Sequence, residues 1–354
     1  MIETLLDLFG DGTVLMMAGL LTGLLFGVAA QRSQFCLRAS TVELSRGRIG
    51  PRMAIWLIVF ATALLATQGL IMLDLLEVSD ARQLSGAGSL SGATIGGVMF
   101  GVGMVLARGC ASRLLVLSAT GNLRALVTGL MLTLVAQSAL SGVLAPAREA
   151  ISELWVISGP SRDLMQGLGL TRSTVLFLAL LGLIVSLGLA HTRGVRPMAA
   201  LAGVGVGLAV ALGWTLTYAI AQASFEIVPV SSVTFTGPAT DTLMALVSQR
   251  SVPLSFGIGL VPGVFLGAGI AALVAGEWQI QRFGPDTPME RYFLGAILMG
   301  FGAMLAGGCA VGAAVSGGAV MSLTAWVAGA SIWAGGMATS VLLDRSAAAR
   351  PAAA

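Results

Sequence analysis

Hydrophobic and polar positions along the chain fall into long apolar runs separated by short polar connections. A run of about 17–25 apolar residues is long enough to cross a bilayer as a helix. Nine such runs are predicted, near residues 14–30, 53–73, 93–107, 125–145, 174–190, 198–220, 253–275, 292–306 and 321–343. The third and eighth are short for a full crossing. Each is followed by a glycine-rich stretch, which predicts a half-helix continued beyond a break.

Composition places most of the chain in lipid. Of the 354 residues only 10% are charged and 56% are hydrophobic, and mean hydropathy is +0.93; a soluble domain carries roughly 25% charged residues. The 48 glycines fit membrane helices, which use small residues to approach one another closely. All basic residues are arginine, spread over short loops, so the net charge of +3 forms no basic stripe and nucleic acid is excluded as a partner.

Arginine placement sets the expected orientation, because cytoplasmic loops are enriched in basic residues. With the N-terminus outside and the C-terminus inside, fourteen of the nineteen arginines lie on the inner side. Residues 1–13 carry Glu3, Asp7 and Asp11 with no basic residue, so no cleaved leader is expected. Cys36, Cys110 and Cys309 form no CxxC pair, and His191 is the sole histidine. No metal site and no cofactor are expected.

The chain also resembles itself. Gly101-Val-Gly-Met-Val-Leu-Ala-Arg-Gly-Cys-Ala111 matches Gly300-Phe-Gly-Ala-Met-Leu-Ala-Gly-Gly-Cys-Ala310 at an offset of 199 residues, and Ser33–Ser40 matches Val233–Thr240 at an offset of 200. Five crossings separate the start of one copy from the start of the other, so the copies are expected to have opposite orientation. The expected division is a first inverted repeat over 1–145, a connector with one span over 146–197, a second repeat over 198–345 and a cytoplasmic tail over 346–354. Inverted repeats of discontinuous helices around a mid-membrane site are a transporter architecture. The predicted fold class is therefore an all-α polytopic membrane protein with about nine transmembrane helices plus re-entrant half-helices.

Candidate chemistry lies at the breaks. Cys110 and Cys309 occupy equivalent turns, each after a glycine (Gly109; Gly307 and Gly308), where backbone can approach a ligand. A thiol is a weak donor and a polarizable acceptor, suited to a soft anion, and N–H groups opening the next half-helix favour negative charge. Arg108 and Arg113 could add attraction for an anion in the first half. Cys36 has Thr236 as its counterpart, followed by Gly237 and Pro238. No span holds an acidic residue well inside its core, so a carboxylate proton relay has no candidate there.

Arg-Ser-x-Phe-Cys after the first span, with Gly-x-Gly-x-x-Leu-Ala-x-Gly-Cys in both halves, resembles the YeeE/YedE sulfur-transport family over about residues 14–343. The resemblance implies an inner-membrane transporter of thiosulfate or a related small sulfur anion. It implies a path lined by Cys110 and Cys309 with Cys36 near its inner end, and a cytoplasmic acceptor of the TusA-like sulfur-carrier type. The chain departs from the family at Thr236, where thiosulfate-transporting relatives carry cysteine. Two other classes compete: a membrane thiol-disulfide oxidoreductase using the three cysteines, and a structural membrane subunit with no solute path.

Overall fold

A computed structural model describes residues 2–79, 81–248, 250, 252–284 and 289–348. The fold is helical apart from one antiparallel pair of three-residue strands, β1 (Ala87–Ser89) and β2 (Val156–Ser158). Most of the expected tail, residues 349–354, lies outside the described residues.

After a short α1 (Ile2–Phe9) come α2 (Asp11–Ser33), α3 (Leu37–Ser45), α4 (Pro51–Met72), α5 (Leu90–Leu106), α6 (Ala111–Ala119) and α7 (Leu123–Ser141). The connector holds α8 (Ala145–Ser152), α9 (Leu164–Leu168) and the long α10 (Arg172–Thr192). Then follow α11 (Pro197–Ala223), α12 (Thr236–Ser248), α13 (Phe256–Val274), α14 (Met289–Leu305), a π-helix (Ala310–Gly317) and α15 (Leu323–Ala348). Among the described residues, nine helical segments are long and apolar enough to cross a membrane, in line with the nine apolar runs. The polar stretch around Cys36 is more than a loop: it breaks the first long helix and starts the short α3.

Local chemistry sets the helix starts. Pro51 and Pro197 open α4 and α11, where the missing N–H costs nothing. Ser89, Asn122 and Ser255 cap α5, α7 and α13 by accepting from the backbone N–H of Gly92, Ala125 and Ile258.

The order long, short, long, long, short, long occurs twice, and packing follows the same scheme. Helix α2 packs on α13 and α11 on α4; α5 packs on α15 and α14 on α7; α2 meets α11, and α5 meets α14. Each contact thus has a partner when the first set of helices is exchanged for the second. The offset seen in sequence reappears in the α5–α14 crossing. A β-carbon on Gly96 would lie 2.6 Å from the Gly302 carbonyl oxygen, and one on Gly295 would lie 2.7 Å from the Gly103 carbonyl oxygen. Gly300 likewise rests on the Leu132 carbonyl and the Ala136 nitrogen, as Gly101 rests on the Ile332 carbonyl and the Gly336 nitrogen. Lipid tails are as apolar as the side chains, so these helices are held by close packing of backbone on backbone.

Of the polar residues in the spans, Gln68 donates to the Ala319 carbonyl (2.8 Å), Thr133 to the Leu130 carbonyl (2.8 Å) and the half-buried Gln137 to the Ser141 hydroxyl (2.9 Å). Thr62 Oγ1, Thr67 Oγ1 and Trp214 Nε1 are buried without a protein partner, so interhelical hydrogen bonding does not account for them.

Candidate functional site

Four short helices begin at the residues singled out from sequence. Cys36 is the N-cap of α3, Cys110 of α6 and Cys309 of the π-helix, all with extended backbone, and Thr236 is the first residue of α12. A helix start leaves backbone N–H groups without intrahelical partners and carries a positive partial charge. The chain therefore sets a thiol or a hydroxyl beside each of four such starts.

The three thiols gather. Cys110 and Cys309 are both buried and Cys36 is half-buried, and all three are free. Cys36 and Cys309 are each within electrostatic reach of Cys110. Placing Cys110 and Cys309 in separate halves of the chain thus does not hold them apart in space. Cys110 Sγ lies 3.3 Å from the Ser112 hydroxyl. Cys309 Sγ accepts from the Gly312 N–H at 3.5 Å and lies 4.0 Å from Thr234 Oγ1. Phe26 and Phe235 pack at 5.0 Å between ring centroids, tying α2 to the segment before α12.

Thr236 behaves differently. Its hydroxyl is buried, has no hydrogen-bond partner and makes none to the thiols; the residue lines a lateral cavity beside Ala111. Thr234, two residues earlier, is the hydroxyl that meets Cys309. Thr234 lies inside a matched motif and Ser112 directly after one, and only the fold distinguishes them as the neighbours of the thiols.

The glycines divide by role. Gly307 takes a left-handed conformation at φ 77°, which glycine adopts without strain. Its counterpart in the first half is Arg108, left-handed at φ 55°, where a side chain costs roughly 1–2 kcal/mol. Gly109 is not in that region, and Gly308 is close-packed, a β-carbon there lying 3.1 Å from the Ala313 nitrogen. Gly237 sits in the first turn of α12 with open space around it, so it is an ordinary helical residue rather than a turn.

Arginines gather near Cys36. Arg38 is within electrostatic reach of Cys36, Arg108, Arg124 and Tyr292. Arg124 donates to the Tyr292 hydroxyl at 2.8 Å and lies 4.7 Å from the centre of its ring. Arg38 Nε and Arg113 Nη1 are buried without partners. Among the described residues the ion pairs are Arg46–Asp344 and Arg148–Glu149, so no carboxylate neutralises this group. In the sequence Arg38 and Arg124 stand only as part of the inner-loop positive charge. Their spacing along the chain carries no signal of the cluster they form.

Such an arrangement, with thiols at helix starts and uncompensated arginines beside them, can bind and pass a small soft anion. Comparison with known proteins agrees. The chain is 26% identical over 337 residues to the thiosulfate transporter TsuA of Escherichia coli K12, covering 88% of this chain and 90% of that protein. It is 27% identical over 325 residues to the thiosulfate transporter TsuA of Spirochaeta thermophila, covering 88% and 93%. A family model described as sulphur transport matches residues 32–338. Nine apolar helical segments, a buried thiol cluster and this match across most of the chain lead to one conclusion: the chain belongs to the sulphur-transport family of integral membrane transporters.

Proposed function

We propose that this protein carries thiosulfate or a closely related sulfur oxyanion across the bacterial inner membrane, along a path through Cys36, Cys110 and Cys309. The observation that carries this reading is the placement of three free thiols at the starts of short helices. Thiol donors and oriented N–H groups replace the water that an anion loses, and neither fixes it by a full opposite charge, so the ion can leave again. Arg38, Arg108 and Arg113 draw the anion to one mouth of the path. Thr236 borders the path through α12 and selects through its unpartnered hydroxyl.

The transport reading extends to topology. We take residues 1–145 and 198–345 as inverted repeats around residues 146–197, and the short helices as re-entrant halves. The reciprocal packing and the shared offsets support this. The N-terminus lies outside and the C-terminus in the cytoplasm, which puts the Arg38–Arg124 cluster on the inner side. There a TusA-like sulfur-carrier protein is the acceptor, met by the exposed Arg32, Arg48 and Arg108.

The test is uptake of radiolabelled thiosulfate and sulfate into proteoliposomes of the purified protein. Saturable thiosulfate uptake, competed by unlabelled thiosulfate and poorly by sulfate, is the expected result. Uptake no greater than in empty vesicles would end the proposal.

A further inference from the structure

Two equivalent interfaces differ, where α4 and α13 meet their neighbours. Taking Gly203 and Gly207 as the counterparts of Gly19 and Gly23 aligns α4 with α13 at an offset of 201, next to the offsets of 200 and 199 of the flanking motifs: Gly207 sits on the Val59 carbonyl and the Ala63 nitrogen, and Gly23 sits on the Leu260 carbonyl and the Val264 nitrogen. The contacts of Gly101 and Gly300 align α7 with α15 at an offset of 200. Under the two-fold relation proposed above, Phe60 then corresponds to Val261, Trp326 to Leu126, Trp333 to Thr133 and Trp56 to Gly257.

On the first side four rings fill the space. Trp56 stacks on Phe60 at 5.4 Å, Trp333 meets Trp56 edge-on at 5.0 Å, and Trp326 meets Phe60 edge-on at 5.4 Å. On the other side Val261, Leu126 and Thr133 leave a cavity of about 200 Å³ between α6, α7, α12 and α13. That exceeds the volume, about 150 Å³, at which an apolar cavity takes up a hydrocarbon ligand.

The chemistry of the cavity excludes the transported anion as its occupant. Its walls are mainly leucine, phenylalanine and valine, and the hydroxyls of Ser118, Thr133 and Thr242 already donate to the carbonyls of Leu114, Leu130 and Pro238. Only the Thr236 hydroxyl is unpartnered, one polar atom against the several an anion needs on losing its water. At the rim Leu126, Leu130, Leu246 and Phe265 are exposed, and in a membrane-spanning chain an exposed apolar side chain faces lipid.

We propose that this cavity is a binding site for an acyl chain of a bilayer phospholipid, which fills on one side of the two-fold the volume that four aromatic side chains fill on the other. The acyl chain enters between α7 and α12 and ends against α6 at Ala111, the residue after Cys110. It completes the packing behind the N-terminus of α6.

The test is photolabelling of the intact protein in proteoliposomes with a phosphatidylethanolamine carrying a diazirine near the end of one acyl chain, followed by peptide mapping. Label concentrated on residues 115–133, 239–246 and 261–265, several-fold above that on the lipid-facing α10, is expected. The variants Val261→Phe and Leu126→Trp, alone or together, should lower that label several-fold. Phe60→Val should raise label on α4 and α15, which keeps a decisive comparison available if the filled variants fail to fold. Label spread evenly over α10 and the cavity helices in the wild type would overturn the proposal. So would protection of the cavity peptides by thiosulfate, which would return the cavity to the solute path. Neither readout depends on whether the protein transports thiosulfate.

Discussion

The first and second halves of the molecule share a scaffold and differ in chemistry. Where helices cross, the correspondence is nearly exchangeable: Gly96 against Gly302 repeats as Gly295 against Gly103. Where short helices begin, it is not. The first half has Arg108 in the left-handed position, Cys36 and Cys110 at two helix starts, and a regular α6. The second has Gly307, Thr236 and Cys309, with a π-helix in place of α6. Backbone-on-backbone contact tolerates almost no side chain, so the crossings must stay alike in both halves. At the starts of the short helices the neighbours are side chains, Ser112 for Cys110 and Thr234 for Cys309, so these positions are freer to diverge, and function is placed there.

The largest effect is expected from breaking the shared scaffold. Gly302→Val puts branched atoms where a single β-carbon already meets the Gly96 carbonyl at 2.7 Å. Overpacking of this kind costs about 1–3 kcal/mol when neighbours can move, and here the neighbour is backbone. Loss of the monodisperse peak in detergent size-exclusion chromatography is expected, with Gly103→Val behaving alike. A stable Gly302→Val protein would show that the crossing is looser than its geometry.

Next come the thiols. Cys110→Ala and Cys309→Ala should each reduce thiosulfate uptake by about 10- to 100-fold, the equivalent of one hydrogen bond to an ion of roughly 1.5–3 kcal/mol made at the barrier. Protein in the membrane should be unchanged. Equal losses would mean that both halves hold the anion alike; loss in one alone would place the barrier in that half.

Arg108→Gly tests the opposed left-handed turns. It removes the conformational cost at φ 55°, so thermal stability should rise, by roughly 1 kcal/mol, while uptake falls and loses part of its dependence on salt. A rise in stability with unchanged uptake would show that the charge at this turn is dispensable.

Smaller shifts are expected at the asymmetric pair Cys36 and Thr236. Thr236→Cys should move the thiosulfate-to-sulfate preference a few-fold toward thiosulfate, and Thr236→Val should weaken both, measured by competition. Unchanged preference in both variants would assign Thr236 wholly to the lateral cavity it lines.

The sequence by itself determined the class, the nine apolar segments, the breaks after α5 and α14, and the pairing of Cys110 with Cys309. Each of these is a local matter of hydropathy, run length or repeated motif, because the bilayer imposes helix length and glycine marks close approach wherever it occurs. The tertiary structure alone decided which polar groups meet. Thr234 rather than Thr236 adjoins Cys309; Arg38 and Arg124, 86 positions apart, join Arg108 without a carboxylate; and the break before Cys36 starts a true helix. The left-handed residue is Arg108 rather than the glycine after it, which no motif reveals, since conformation there is set by how α5 ends against α6. The lateral cavity was equally hidden. Val261, Leu126 and Thr133 are ordinary in their own helices, and their small size matters only because the fold sets them opposite one another where the equivalent interface of the two halves holds four rings.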